Sequence, residues 1–277
     1  MENIIIKTGK NPGNISTIMA GTHGNEICGI QAFENIIPNL EIEHGTVFFI
    51  LGNPKAIAEN VRYTEYNLNR AFKDISEYSK AELKNYELQR AQEIKKYLDK
   101  SSALLDIHSA KKKTEPFIFC EEKSISTAQE LSSKFLKIVL GVNAVEPGGT
   151  DGYMANMGKI GICVECGQHN DKSAITLAEQ SIHNFLKNRG HIQKSNNENR
   201  ADKPIINLEY SYYTKTNSFI LERNFSDFEH LEKGTLVGKD SGKSIYTPFS
   251  GYIVFARNCN KKNLEGFLLG KDYIKHD

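Results

Sequence analysis

A strand-like run that turns through two glycines into a helix-like run narrows the possible folds of this chain most. Ile18-Met19-Ala20 is apolar, Gly21-Thr22-His23-Gly24-Asn25-Glu26 is the turn, and apolar residues then recur at helical spacing over 25–37 (Ile27, Ile30, Phe33, Ile36, Ile37) until Pro38 ends the run. Further strands are predicted at 47–51, 103–108, 116–120 and 160–166, and helices at 79–99 (a surface helix), 126–140 and 173–189, the last after a Ser173 cap. The stretch 55–75 reads as irregular and 147–152 as a loop. Strands alternating with helices predict an α/β domain over 1–190. A polar linker is expected over 190–203. After Pro204, short runs such as Tyr210 to Tyr213, 219–221 and 253–255, punctuated by glycines, predict a small all-β domain over 204–277.

The balance of charge removes some function classes. Among 277 residues, 35 Lys and Arg oppose 34 Asp and Glu, a net charge of +1 that gives no general pull toward nucleic acid or an anionic membrane. The N-terminal residues lack the apolar core of a signal peptide, and no run reaches transmembrane length. Cys28, Cys120, Cys163, Cys166 and Cys259 are odd in number and dispersed, which suits reduced thiols and a cytoplasmic protein.

His23 and Glu26 are three apart, which at the start of a helix puts both side chains on one side of the turn. Imidazole nitrogen and carboxylate oxygen are what zinc accepts, and catalytic zinc sites commonly use two His and one Glu. The same pair could equally cap a helix and face solvent. A second apolar run, 104–107, ends at His108. In α/β sheets ligands gather at the carboxyl ends of strands, where both histidines are expected. Glu165 ends another apolar strand, either as a salt-bridged terminus or as a general base. Arg62, Asn69 and Arg70 lie in the irregular stretch, either as solvated surface or as groups that polarise a carbonyl and grip a carboxylate. Asp106 shares a strand face with His108 and can orient it or cap the strand end. Cys163 and Cys166 read as core packing and Lys111-Lys112-Lys113 as a solvated loop. His44, His183, His191, His230 and His276 read as surface histidines, and His169 follows Glu165 closely.

Five blocks, Gly21 to Glu26, Asn53-Pro54-Lys55-Ala56, Asn67-Leu68-Asn69-Arg70, Asp106-Ile107-His108 and Val164-Glu165-Cys166-Gly167, together resemble the succinylglutamate desuccinylase/aspartoacylase family. The resemblance implies a zinc-carboxypeptidase-like mixed sheet flanked by helices, with a small C-terminal all-β domain. It implies a zinc-dependent hydrolase acting on non-peptide amide bonds, with one ion per chain held by His23, Glu26 and His108. Glu165 would be the general base and later the proton donor. Arg62 would stabilise the oxyanion, and Asn69 with Arg70 would bind a substrate carboxylate. The implied partner is a small-molecule N-acyl substrate, with no nucleic acid or membrane; a homo-oligomer is left open. Two positions depart from the family. Asn67 stands where members commonly have Asp, and Ala155 stands ten before the base, where enzymes of acyl-aspartate carry Arg. Acetyl-aspartate is therefore not the expected substrate, and Lys111, Lys112, Lys113 or Lys159 would have to supply any second charge. A metallocarboxypeptidase acting on short peptides and a non-catalytic binding protein retaining the fold are the alternatives.

Overall fold

The computed structural model describes residues 2–169, 171–193 and 202–274. The chain falls into two compact units, Met1–Ile138 with Pro147–Lys203, and Val139–Glu146 with Pro204–Asp277. The first holds β1 (Ile4–Thr8), β2 (Asn11–Ala20), α1 (Cys28–Ile36), β3 (His44–Leu51), α2 (Pro54–Glu59), α3 (Tyr86–Leu98), β4 (Ala103–Ala110), β5 (Phe117–Cys120) and α4 (Ile125–Gln129). The strand β6 (Lys137–Leu140) lies where the chain leaves this unit, and α5 (Val142–Val145) follows it. Then come α6 (Thr150–Asn156), β7 (Ile160–Gln168) and α7 (Lys172–Asn188), again in the first unit.

The strand order there is β1-β3-β2-β4-β7-β5. β3, β2, β4 and β7 run parallel, with β1 and β5 antiparallel at either side. The sheet is mixed because only its middle is built by helix crossovers. Those middle strands are buried along nearly their whole apolar length, as a parallel sheet covered on both faces requires. α1 and α7 pack together on one face. A Cβ on Gly29 would lie 2.9 Å from Ala20 Cβ and Ile107 Cγ2, so α1 rests directly on β2 and β4. The other face meets α3 and α6 through Met19, Leu104, Leu88, Ile94 and Met154. Met19 pairs in register with Asp106, and His108 with Glu165, so the polar groups of β4 and β7 emerge level with each other at the carboxyl ends.

Several local expectations are corrected. The stretch 126–140 is a short helix followed by a strand. Leu131, Phe135, Ile138 and Val139 are all buried, but Leu131 and Phe135 lie in the connection and Ile138-Val139 in the strand, because β-branched Ile138-Val139 fit an extended chain better than a helix. The helix expected over 79–99 begins only at Tyr86, and it is no plain surface helix: it buries Glu87, Arg90 and Lys95. Residues 54–59 form α2, whose Asn53 cap accepts a hydrogen bond from Ala56 N, and Leu68–Arg70 form a 3₁₀ turn within the stretch read as irregular. Thr150 opens α6 where a loop was expected. The cap of α7 is Asp171, whose carboxylate accepts from Ser173 N. His191 is buried. Its Nε2 lies 2.8 Å from Ser16 Oγ and its Nδ1 2.9 Å from His44 O. His44, His183 and His230 are exposed; His276 and linker residues 194–201 lie outside the described residues.

The second unit adds β8 (Ile205–Tyr213), β9 (Phe219–Leu221), β10 (Glu229–Leu231), β11 (Leu236–Asp240), β12 (Lys243–Tyr246), β13 (Gly251–Val254) and β14 (Glu265–Asp272). Antiparallel pairing gives the orders β8-β14-β13-β10 and β12-β11-β9. Tyr212, Phe219, Val237, Ile253 and Phe267 form its core.

The contact at Gly29 yields a test. Gly29→Val should destabilise the protein by about 1–3 kcal/mol, the usual cost of overpacking. Urea unfolding checks this, and an unchanged midpoint would contradict the direct seating of α1 on β2 and β4.

Candidate metal centre

The metal loop leaves β2 through Gly21, whose φ of +65° is left-handed and suits glycine. At Gly24 a Cβ would stand 2.1–2.3 Å from the backbone of Ala56 and Ile57, so the loop lies pressed against α2. This fixes His23 and Glu26 beside the end of β4. Glu26 is the hub. Its Oε1 lies 2.8 Å from His23 Nδ1 and 3.0 Å from Arg62 Nη1. Its Oε2 lies 2.9 Å from His108 Nδ1 and 3.2 Å from Ser109 N. The two Nδ1 atoms are 3.2 Å apart. His23, Glu26 and His108 are buried, and together they could hold a metal ion.

The protons of the two imidazoles say more than the distances. Asn67 Oδ1 accepts from Asn69 N, so it is an acceptor, and it faces His23 Nε2 at 3.1 Å. Asp106 Oδ2 faces His108 Nε2 at 3.2 Å. An acceptor facing each Nε2 favours the tautomer with the ring proton there, which leaves each Nδ1 to present a lone pair toward the other and toward a carboxylate. Converging acceptors in a buried site call for positive charge. A metal ion fits this donor set of two imidazole nitrogens and a carboxylate. In the absence of one, a second proton on His108 serves. Burial pulls the His108 pKa down, but Cys163, Asp106 and Glu26 outweigh it and hold it well above its ordinary value. Burial presses His23 down to about 4. For Glu26, burial acts upward, and the two histidines overcome it and hold the carboxylate well below its usual range.

Asp106, fully buried, also accepts hydrogen bonds from Thr22 Oγ1 at 3.0 Å and Thr150 Oγ1 at 2.7 Å. Ser109 Oγ lies 2.9 Å from His169 Nδ1, so His169 stands one residue removed from the ligands. Neither Thr150 nor Ser109 carries a sequence signal of its own; only their neighbours in space give them meaning. Glu165 lies beside His108 in register and is buried, and its Oε2 has no hydrogen-bond partner. Burial first, then the Glu26 charge, raises its pKa to about 8. Asn69 Oδ1 accepts from Thr150 N at 3.3 Å, and Arg70 Nη1 donates to Asn69 O at 2.8 Å. Asn67 links Asn69 to His23. Lys111, Lys112 and Lys113 are exposed. Lys159 donates to Leu98 O and Asp99 O, so it is committed to the end of α3. Ala155 is half-buried on α6.

A sheet with buried His, Glu and His at its carboxyl edge defines a class of α/β protein with a side-chain group that could hold a metal ion. The model of the succinylglutamate desuccinylase/aspartoacylase catalytic domain matches residues 12–192, and the chain belongs to that family, whose members are amide-cleaving hydrolases. A succinylglutamate desuccinylase of Pseudoalteromonas atlantica is 24% identical over 88% of this chain and 77% of its own length. An N-acyl-aromatic-L-amino acid amidohydrolase (carboxylate-forming) of Xenopus laevis is 35% identical, but over only 33% of each chain. The crystal structure of a succinylglutamate desuccinylase from Vibrio cholerae superposes with a TM-score of 0.79, at 17% identity, over 98% of this chain and 85% of that one, a likeness of fold. Among the described residues, no helix is long and apolar enough to cross a membrane.

The raised pKa of Glu165 gives a pH test in metal-free protein. The unfolded carboxyl releases its proton near 4.5 and the folded one near 8, so the folded state holds the extra proton between them. Stability therefore falls as pH rises through that window and levels off above it. Glu165→Gln removes this dependence. Its melting temperature should exceed that of the wild type by a growing margin from pH 5 to pH 9, and a constant margin would contradict the assignment.

Proposed function

We propose that this chain is a zinc-dependent amidohydrolase that removes the acyl group from an N-acyl amino acid or a similar small amide. The observation that carries the reading is the meeting of two imidazole Nδ1 lone pairs and the Glu26 carboxylate, with Glu165 beside them. Zinc bound there would polarise the scissile carbonyl and make an attacking water acidic at neutral pH. With the positive charge of the metal offsetting that of Glu26, Glu165 would ionise, take the proton from that water and return it to the leaving amine; its Oε2 is buried and has no other hydrogen-bond partner. Arg62 supplies fixed positive charge for the oxyanion. Asp106 and Asn67 face the Nε2 atoms of His108 and His23 and so favour the presentation of each Nδ1 to the metal. Arg70, positioned with Asn69, grips the carboxylate of the amine half. The five cysteines are unbridged and buried, which suits a reducing compartment such as the cytoplasm.

Ala155 offers no charge for a second carboxylate, and Lys159 is tied to α3, so acyl derivatives of monocarboxylate amino acids are the expected substrates. They should exceed acetyl-aspartate in kcat/KM by about 1–3 kcal/mol, the worth of one charge-assisted hydrogen bond. A panel of acetyl-, succinyl- and formyl-amino acids with added zinc tests this, and a clear preference for acetyl-aspartate would refute it. On the best substrate Glu165→Gln should retain zinc and lose about a hundred- to ten-thousand-fold in kcat. Near wild-type turnover would remove Glu165 from the mechanism.

A further inference from the structure

Arg62 is exposed and sits on an irregular stretch between α2 and the 3₁₀ turn. An arginine so placed ordinarily samples many rotamers on a loose backbone. Here the backbone is tied down by one buried carboxylate. Glu87, in the first turn of α3, receives Thr64 N at 2.7 Å, Thr64 Oγ1 at 2.7 Å, Glu65 N at 3.2 and 3.3 Å, Tyr66 N at 3.1 Å and Asn53 Nδ2 at 3.2 Å. Three successive backbone N–H groups closing on one anion make a nest turned inward. The tie is reciprocal, because Glu65 Oε2 accepts from Tyr86 N at 3.0 Å.

The anchor is itself anchored. Arg90, one turn along α3, donates to Leu51 O and Gly52 O at the end of β3. Asn53, the fourth residue that donates to Glu87, caps α2, and α2 backs the Gly24 turn of the His23–Glu26 loop. Arg62 O in turn accepts from Gly24 N at 3.3 Å. A loop that only had to be covered would not require a charge among so many donors, since burying a carboxylate is costly unless every donor is aimed at it.

We propose that Glu87 is a positioning residue for Arg62: it binds residues 64–66 to α3 and thereby holds the guanidinium beside Glu26. The inference rests on the hydrolase reading of Arg62, so its test has one arm that needs no activity. Amide hydrogen exchange compares zinc-loaded wild type with Glu87→Gln. The variant should lose protection at 64–66 while β2 and β4 keep theirs; unchanged protection at 64–66 would overturn the proposal whatever the enzyme hydrolyses. The second arm is a kinetic cycle of Glu87→Gln, Arg62→Ala and the double variant. Glu87→Gln alone should lower kcat by about 10- to 100-fold with zinc affinity within about threefold of wild type, and the double variant should be no slower than Arg62→Ala. Losses that multiply in the double variant, or a Glu87→Gln enzyme at wild-type turnover, would overturn it. If Glu87→Gln does not fold, Glu87→Asp, which keeps the charge but shortens the reach, carries both arms with the same expected directions.

Discussion

The site depends on one buried carboxylate held between two imidazoles. Glu26 has almost no access to water, and everything near it compensates that charge: two Nδ1 atoms, the Arg62 guanidinium and the Ser109 amide. Removing a charge from water without partners costs far more than one domain can spare. The strand ends, the pressed turn at Gly24 and the register of His108 with Glu165 are the means by which the fold delivers those partners to one point. Arg62 comes from an irregular stretch, and Glu87 ties that stretch down through Thr64, Glu65 and Tyr66.

The two candidate ligand histidines are supported unequally. His108 has a buried carboxylate, Asp106, behind its Nε2, whereas His23 has the neutral amide of Asn67. A carboxylate partner makes an imidazole a stronger base than an amide does. Asn67, one of the two positions read from the sequence as departures from the family pattern, thus faces a candidate ligand. The histidines also differ in proton affinity, with His108 held up by Cys163, Asp106 and Glu26 against burial and His23 pressed down by burial.

Much of the architecture was legible because parallel strands and amphipathic helices leave different periodicities, as in 15–20, 103–108 and 173–189. The candidate ligands were legible because two histidines at the ends of apolar strands, one of them three residues before a glutamate, have few bland explanations together. What stayed hidden was decided by contacts far away in sequence. The stretch 126–140 buries the same side chains as a helix or as helix plus strand, so its periodicity could not choose. His191 sits in polar sequence, and only Ser16 and the His44 carbonyl reveal that it is buried. Glu87 looks like any solvated helix glutamate until residues 64–66 fold onto it.

The central claim is that the Glu26 cluster is a metal site whose place is taken by a proton when the metal is absent. Zinc titration of chelator-treated protein by calorimetry, run near pH 7 in two buffers of different ionisation enthalpy, tests it most directly. The account predicts saturable binding of one zinc per chain, release of about one proton or more, and loss of binding in His108→Ala. No saturable binding, no proton release, or unchanged affinity in His108→Ala would contradict it.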